Sequence, residues 1–84
     1  MTKAKQTETA ISRIESKINS MNNSQDLTVL EYYDSAICAM IYLSWRLEII
    51  TKEERQRLEG LQCDEYLRIK SELKAKSQEG GTAA

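Results

Sequence analysis

The large apolar residues of this chain gather between Leu27 and Ile50, in LTVLEYYDSAICAMIYLSWRLEII, which also holds the only tryptophan. At about 100° per residue, Val29, Tyr33, Ala36, Met40, Leu43 and Leu47 fall on one helical face with the spacing of a core seam. Leu30, Ile37 and Ile41 lie on one flank of that seam, and Tyr32, Ala39 and Ile50 on the other. A helix apolar over so wide an arc needs two neighbours to cover it.

The remaining arc begins polar, with Thr28, Glu31, Asp34, Ser35 and Cys38, and ends in Tyr42, Trp45, Arg46 and Ile49. Tryptophan, tyrosine and arginine combine large buried area with a polar handle, which is why they dominate interface hot spots. This corner is the expected partner-binding surface. The competing expectation is that the third helix or the tail folds over it.

Upstream, Ala4, Thr7, Ile11, Ile14, Ile18 and Met21 repeat at three-then-four spacing, with Lys5, Glu8, Arg13, Glu15 and Lys17 off the stripe. The pattern predicts an amphipathic helix that packs on the central one, within the chain or from a second copy. Ile11, Ile14 and Ile18 are accordingly the candidate self-association residues. The polar break at 22–26 is short, so the first two helices should be antiparallel neighbours. Thr28 with Glu31 reads as a capping box for the central helix, and Asp26 is the rival cap.

A second capping box, Thr51-Lys52-Glu53-Glu54, predicts a third helix with an acidic first turn suited to the helix dipole. Its apolar residues are Leu58, Leu61, Cys63, Tyr66, Leu67, Ile69 and Leu73. Gly60 interrupts it and Asp64 can cap a fresh start, so the segment reads as one kinked helix or two short ones. After Leu73 the apolar pattern stops. The expectation is an all-α bundle of three helices forming one domain over residues 1–77, followed by a disordered tail at 78–84.

Composition agrees with this outline: the 84 residues include no proline and three glycines, so little interrupts a helix. A core of this size leaves only a few kcal/mol of net stability, which makes a homo-oligomer a reasonable expectation. Cys38 and Cys63 form no C-x-x-C pair, and they are read as reduced thiols of a cytoplasmic protein. The N-terminus has no apolar segment behind its lysines, and the apolar run at 36–43 is far shorter than the roughly 20 residues of a membrane span.

The chemistry of catalysis is thin. With no histidine among the 84 residues, Ser-His-Asp and Cys-His nucleophile systems and histidine metal sites are excluded. No glycine-rich loop is available to cradle phosphates. The acidic pairs Glu31 with Asp34 and Glu53 with Glu54 sit in first helical turns, where capping and the dipole account for them. No enzyme, cofactor or metal is expected.

What remains is a protein-protein interaction module, an adaptor or a stoichiometric inhibitor. Compact helical chains of phages and mobile elements, anti-CRISPR proteins among them, often act by occupying another protein's surface, and no motif here singles out a family. The alternative is a helix-turn-helix-like regulator binding nucleic acid through Lys52, Arg55, Arg57, Arg68, Lys70 and Lys74. Against it stand a net charge of −1 and the acids Glu53, Glu54 and Glu59 on the same helix.

Overall fold

The computed structural model describes the backbone of residues 2–83 and the side chains of residues 2–76. Three helices follow in order: α1 (Lys3–Ser20), α2 (Leu27–Arg46) and α3 (Lys52–Ala83), with a short 3-10 turn at Met21–Asn23 after α1. The tail expected to be disordered, 78–84, falls outside the described side chains.

Helix α1 starts where Thr2 Oγ1 accepts a hydrogen bond from the Lys5 amide at 3.2 Å. Its stripe turns inward from Thr7 on, with Ile14, Ile18 and the following Met21 buried and Thr7 and Ile11 half-buried, while Ala4 at its start is exposed. The chain then leaves by the 3-10 turn and not by a left-handed asparagine. Among the described residues, Glu48 is the one non-glycine with positive φ.

Helix α2 is capped by Asp26, whose Oδ1 accepts from the Val29 amide at 2.9 Å, so Thr28 lies inside the first turn. It ends at Arg46, four residues short of the apolar run's end. Glu48, at φ 60°, reverses the chain, and the amides of Ile49 and Ile50 both turn back to the Ser44 carbonyl, at 2.8 and 3.2 Å. The reversal buries Ile50 beneath the bundle. Thr7 Oγ1 donates to the Ile49 carbonyl at 2.6 Å and ties the start of α1 to this turn.

The capping box at Thr51 forms as expected. Glu54 Oε1 accepts from the Thr51 amide at 2.7 Å, and Thr51 Oγ1 accepts from the Glu54 amide at 3.1 Å. From there α3 runs unbroken through Gly60, so the split reading is corrected: the helix keeps its backbone bonds there, and a Cβ at Gly60 would meet nothing within 4 Å.

Cross-links fix the directions. Arg57 pairs with Glu15 at 3.2 Å and Asn22 donates to Glu65 at 3.3 Å, so α3 runs parallel to α1. Gln62 reaches Asp34, and Arg55 reaches Trp45, so α2 runs opposite to both. The core is Ile14, Ile18 and Met21, then Leu30, Ile37 and Ile41, then Ile50, Leu58 and Ile69.

This corrects the phase of the central helix. Its buried face is the expected flank, Leu30, Ile37 and Ile41, whereas Val29, Leu43 and Leu47 of the expected seam are exposed. The physical reason is that α1 and α3 touch each other as well as α2. Both therefore cover α2 mainly from one side: Tyr33, Ala36 and Met40 of the expected seam are half-buried, with Tyr33 and Met40 against the core, and Val29, Leu43 and Leu47 lie on the arc left uncovered. Among the described residues, no helix is long and apolar enough to cross a membrane.

Candidate interaction surface

The expected partner corner is partly assembled. Tyr42 and Trp45 pack with ring centroids 6.1 Å apart at a tilted angle. Trp45 is half-buried and rests against the core, while Tyr42 stays 53% exposed. The Arg55 guanidinium lies over the indole, its central carbon 4.2 Å from the ring centroid, and it also pairs with Glu59 at 2.9 Å. Trp45 is thus held from beneath by the core and from the side by α3. It is neither free surface nor interior.

Two hollows flank this tryptophan. One, of about 220 Å³ between α2 and α3, is lined by Cys38, Ile41, Tyr42, Arg55, Glu59 and Gln62. The other, shallower, of about 420 Å³, lies over the α2–α3 turn against Trp45, Ile49 and Thr51, with Lys3 at its edge. Ile49 is half-buried and joins the corner only through this second hollow. Arg46 is exposed and sits about 100° further round α2, so it faces away from the indole.

Beside the first hollow lies a polar seam between α2 and α3. Gln62, buried in the interface, donates from Nε2 to Asp34 Oδ1 at 2.8 Å and to the Asp34 carbonyl at 3.0 Å, with Cys38 Sγ at 3.1 Å. One turn on, the Tyr66 hydroxyl donates to Glu31. That bond, aided by burial and by the charges of Glu31 and Asp34, pushes the Tyr66 phenol up to about 12. The acidic residues of α2 are therefore partners in a register lock. Cys38 and Cys63 are exposed and unbridged.

No family profile, curated protein or solved structure matches this chain.

The basic residues considered for nucleic acid are largely engaged within the chain. Arg55 and Arg57 are paired with Glu59 and Glu15. Arg68 bridges Glu65 at 3.0 Å and Glu72 at 2.9 Å and also bonds Asn22. These contacts raise Arg68, and its hydrogen bond holds the Glu65 carboxyl below its ordinary value despite some desolvation. Lys70 lies over the Tyr66 ring at 5.4 Å. Lys52 and Lys74 are exposed near opposite ends of the bundled part of α3, so the six do not converge on one surface.

The isoleucines expected to drive self-association serve the chain's own core: Ile14 and Ile18 are buried and Ile11 packs against them. Sequence reasoning missed the surface that is free. Along α2, Val29, Tyr32, Leu43 and Leu47 stand exposed, Tyr32 by 71% and Leu47 by 68%. The spacing of Val29, Leu43 and Leu47 fits an inward seam equally well, and Tyr32 lies on the flank beside it. Among the described residues, no group of three or more His, Cys, Asp or Glu side chains could hold a metal ion.

Proposed function

We propose that this protein is a non-catalytic helical interaction module that docks another protein at the Tyr42–Trp45 corner, acting as an adaptor or a stoichiometric inhibitor. The observation that carries this reading is an exposed tyrosine ring set against a tryptophan already immobilised by the core and by Arg55, beside a hollow of about 220 Å³. An aromatic anchor held in place before binding loses little side-chain freedom on docking, which is what makes such residues hot spots. The hollow offers a slot for a partner side chain, with the Arg55–Glu59 pair as its polar rim.

Nucleic-acid binding is the weaker reading, because Arg55, Arg57 and Arg68 spend their charge on carboxylates of the same chain. A salt-sensitive gel shift with DNA or RNA would favour it.

The test is quantitative affinity capture from the host with the native chain and with Tyr42→Ala, whose folding is checked by circular dichroism. A protein captured by the first and lost from the second supports the docking corner. Identical captured sets count against it. Activity of the captured protein with and without the module then separates inhibitor from adaptor.

A further inference from the structure

The bare arc of α2 has an order that reads alike from both ends. Val29, Tyr32, Ala36, Ala39, Leu43 and Leu47 follow one another at three- or four-residue steps, with bulky residues outside and two alanines in the middle. Tyr32, Leu43 and Leu47 are each more than half exposed, and Val29 is 37% exposed. The strip carries no charge over about 27 Å of helix. Its apolar exposure, on the order of a few hundred Å², is comparable to the largest patch on a typical monomer, which is often functional.

We infer that a second copy of this chain covers the strip, through an antiparallel twofold α2–α2 contact. Antiparallel pairing about the midpoint of the two alanines sets Tyr32 against the partner's Leu43 and Ala36 against the partner's Ala39. Val29 then meets the partner's Leu47 at each end. The alanine centre lets the backbones approach closely, and the bulkier layers close around it, as in a coiled-coil seam. Every contact occurs twice, as an isologous interface requires.

Charge selects this arrangement. Glu31 and Arg46 lie on the same border of the strip, near opposite ends of α2, and both are exposed. Antiparallel packing keeps the two borders on one side of the seam and brings each Arg46 toward the partner's Glu31, whereas parallel packing turns that border toward the partner's uncharged Tyr33 and Met40 border and leaves both charges unpaired. Tyr66 occupies one side of the Glu31 carboxylate, and the other oxygen is free to accept. Two such strips closing together bury on the order of 1,000 Å², the lower bound of a specific interface, so the dimer is a weak one. Tyr42 lies on that same border, about 40° round the helix from Arg46, so the contact adjoins the Tyr42–Trp45 corner, while Trp45 itself stays outside the seam.

Sedimentation velocity of the full chain, from dilute solution up to about 1 mM, tests this, with circular dichroism as the folding control. The expected result is a monomer–dimer equilibrium approaching twice the 9.6 kDa chain mass. Leu43→Glu abolishes the dimer and keeps the helical spectrum. Arg46→Glu weakens it by about tenfold or more, and adding Glu31→Arg to that variant restores most of the loss. The inference is overturned by a chain that stays monomeric throughout, which leaves the strip to a different protein. A dimer that survives Leu43→Glu, or a double reversal no tighter than Arg46→Glu alone, overturns it equally.

Discussion

Arg55 lies over the indole of Trp45, its guanidinium carbon 4.2 Å from the ring centroid, and joins the C-terminal end of α2 to the first turns of α3. A cation over a tryptophan face contributes on the order of 1 kcal/mol where it is partly shielded from water. Arg55→Ala should lower stability in urea by about that amount and shift the single tryptophan's emission toward that of exposed indole. Arg55→Lys should recover only part of it, because an ammonium lacks the planar stacking of guanidinium. Unchanged emission in Arg55→Ala would show that the indole does not rely on this cover.

Gly60 sits in an exposed part of α3 with nothing near its Cβ position. Gly60→Ala should therefore stabilise the protein by about 0.5–1 kcal/mol, through the smaller conformational freedom of the unfolded chain. Thermal unfolding should show a rise in Tm of a few degrees. A fall would mean that the helix bends there.

The turn after α2 depends on Glu48 adopting a left-handed backbone, which achiral glycine takes freely and L residues other than asparagine and aspartate take rarely. Glu48→Gly should raise stability by about 0.5–1 kcal/mol in urea unfolding. Glu48→Val should lower it, since a β-branched side chain resists that conformation more strongly.

The phenol of Tyr66 is raised to about 12 from an ordinary value of 10.0, chiefly by its hydrogen bond to Glu31. A raised folded-state value means that its stabilising contribution is complete below pH 10.0 and disappears as pH climbs toward about 12. Tyr66→Phe should flatten the alkaline stability profile in that window and remove the highest step from the phenolate absorbance titration. A profile identical to that of the native chain would refute the Glu31 bond.

Much of the architecture was legible because local chemistry and tertiary demand agree. From Thr7 on, the α1 stripe turns inward as its spacing says, and Thr51 with Glu54 makes the reciprocal bonds their spacing implies. Two features were illegible for definite reasons. The stop at Arg46 has no glycine or asparagine to announce it, since the left-handed residue is a glutamate. The phase of α2 was ambiguous because both arcs carry helical apolar spacing, and one helix's pattern cannot say from which side its neighbours arrive. Of the corner, the closeness of Tyr42 and Trp45 follows from their three-residue spacing on one helix. The Arg55 contact needed α3 to be placed.

The phase of α2 carries the rest, and urea unfolding of two variants at concentrations where the chain is monomeric tests it most directly. Ile37 is fully buried and Leu43 is 57% exposed. Ile37→Ala should cost about 2–5 kcal/mol, the range for emptying a core site. Leu43→Ala should stay within about 0.5 kcal/mol of the native chain, as at an exposed position. Equal costs, or a larger loss at Leu43, would contradict the bare arc and every surface assigned to it.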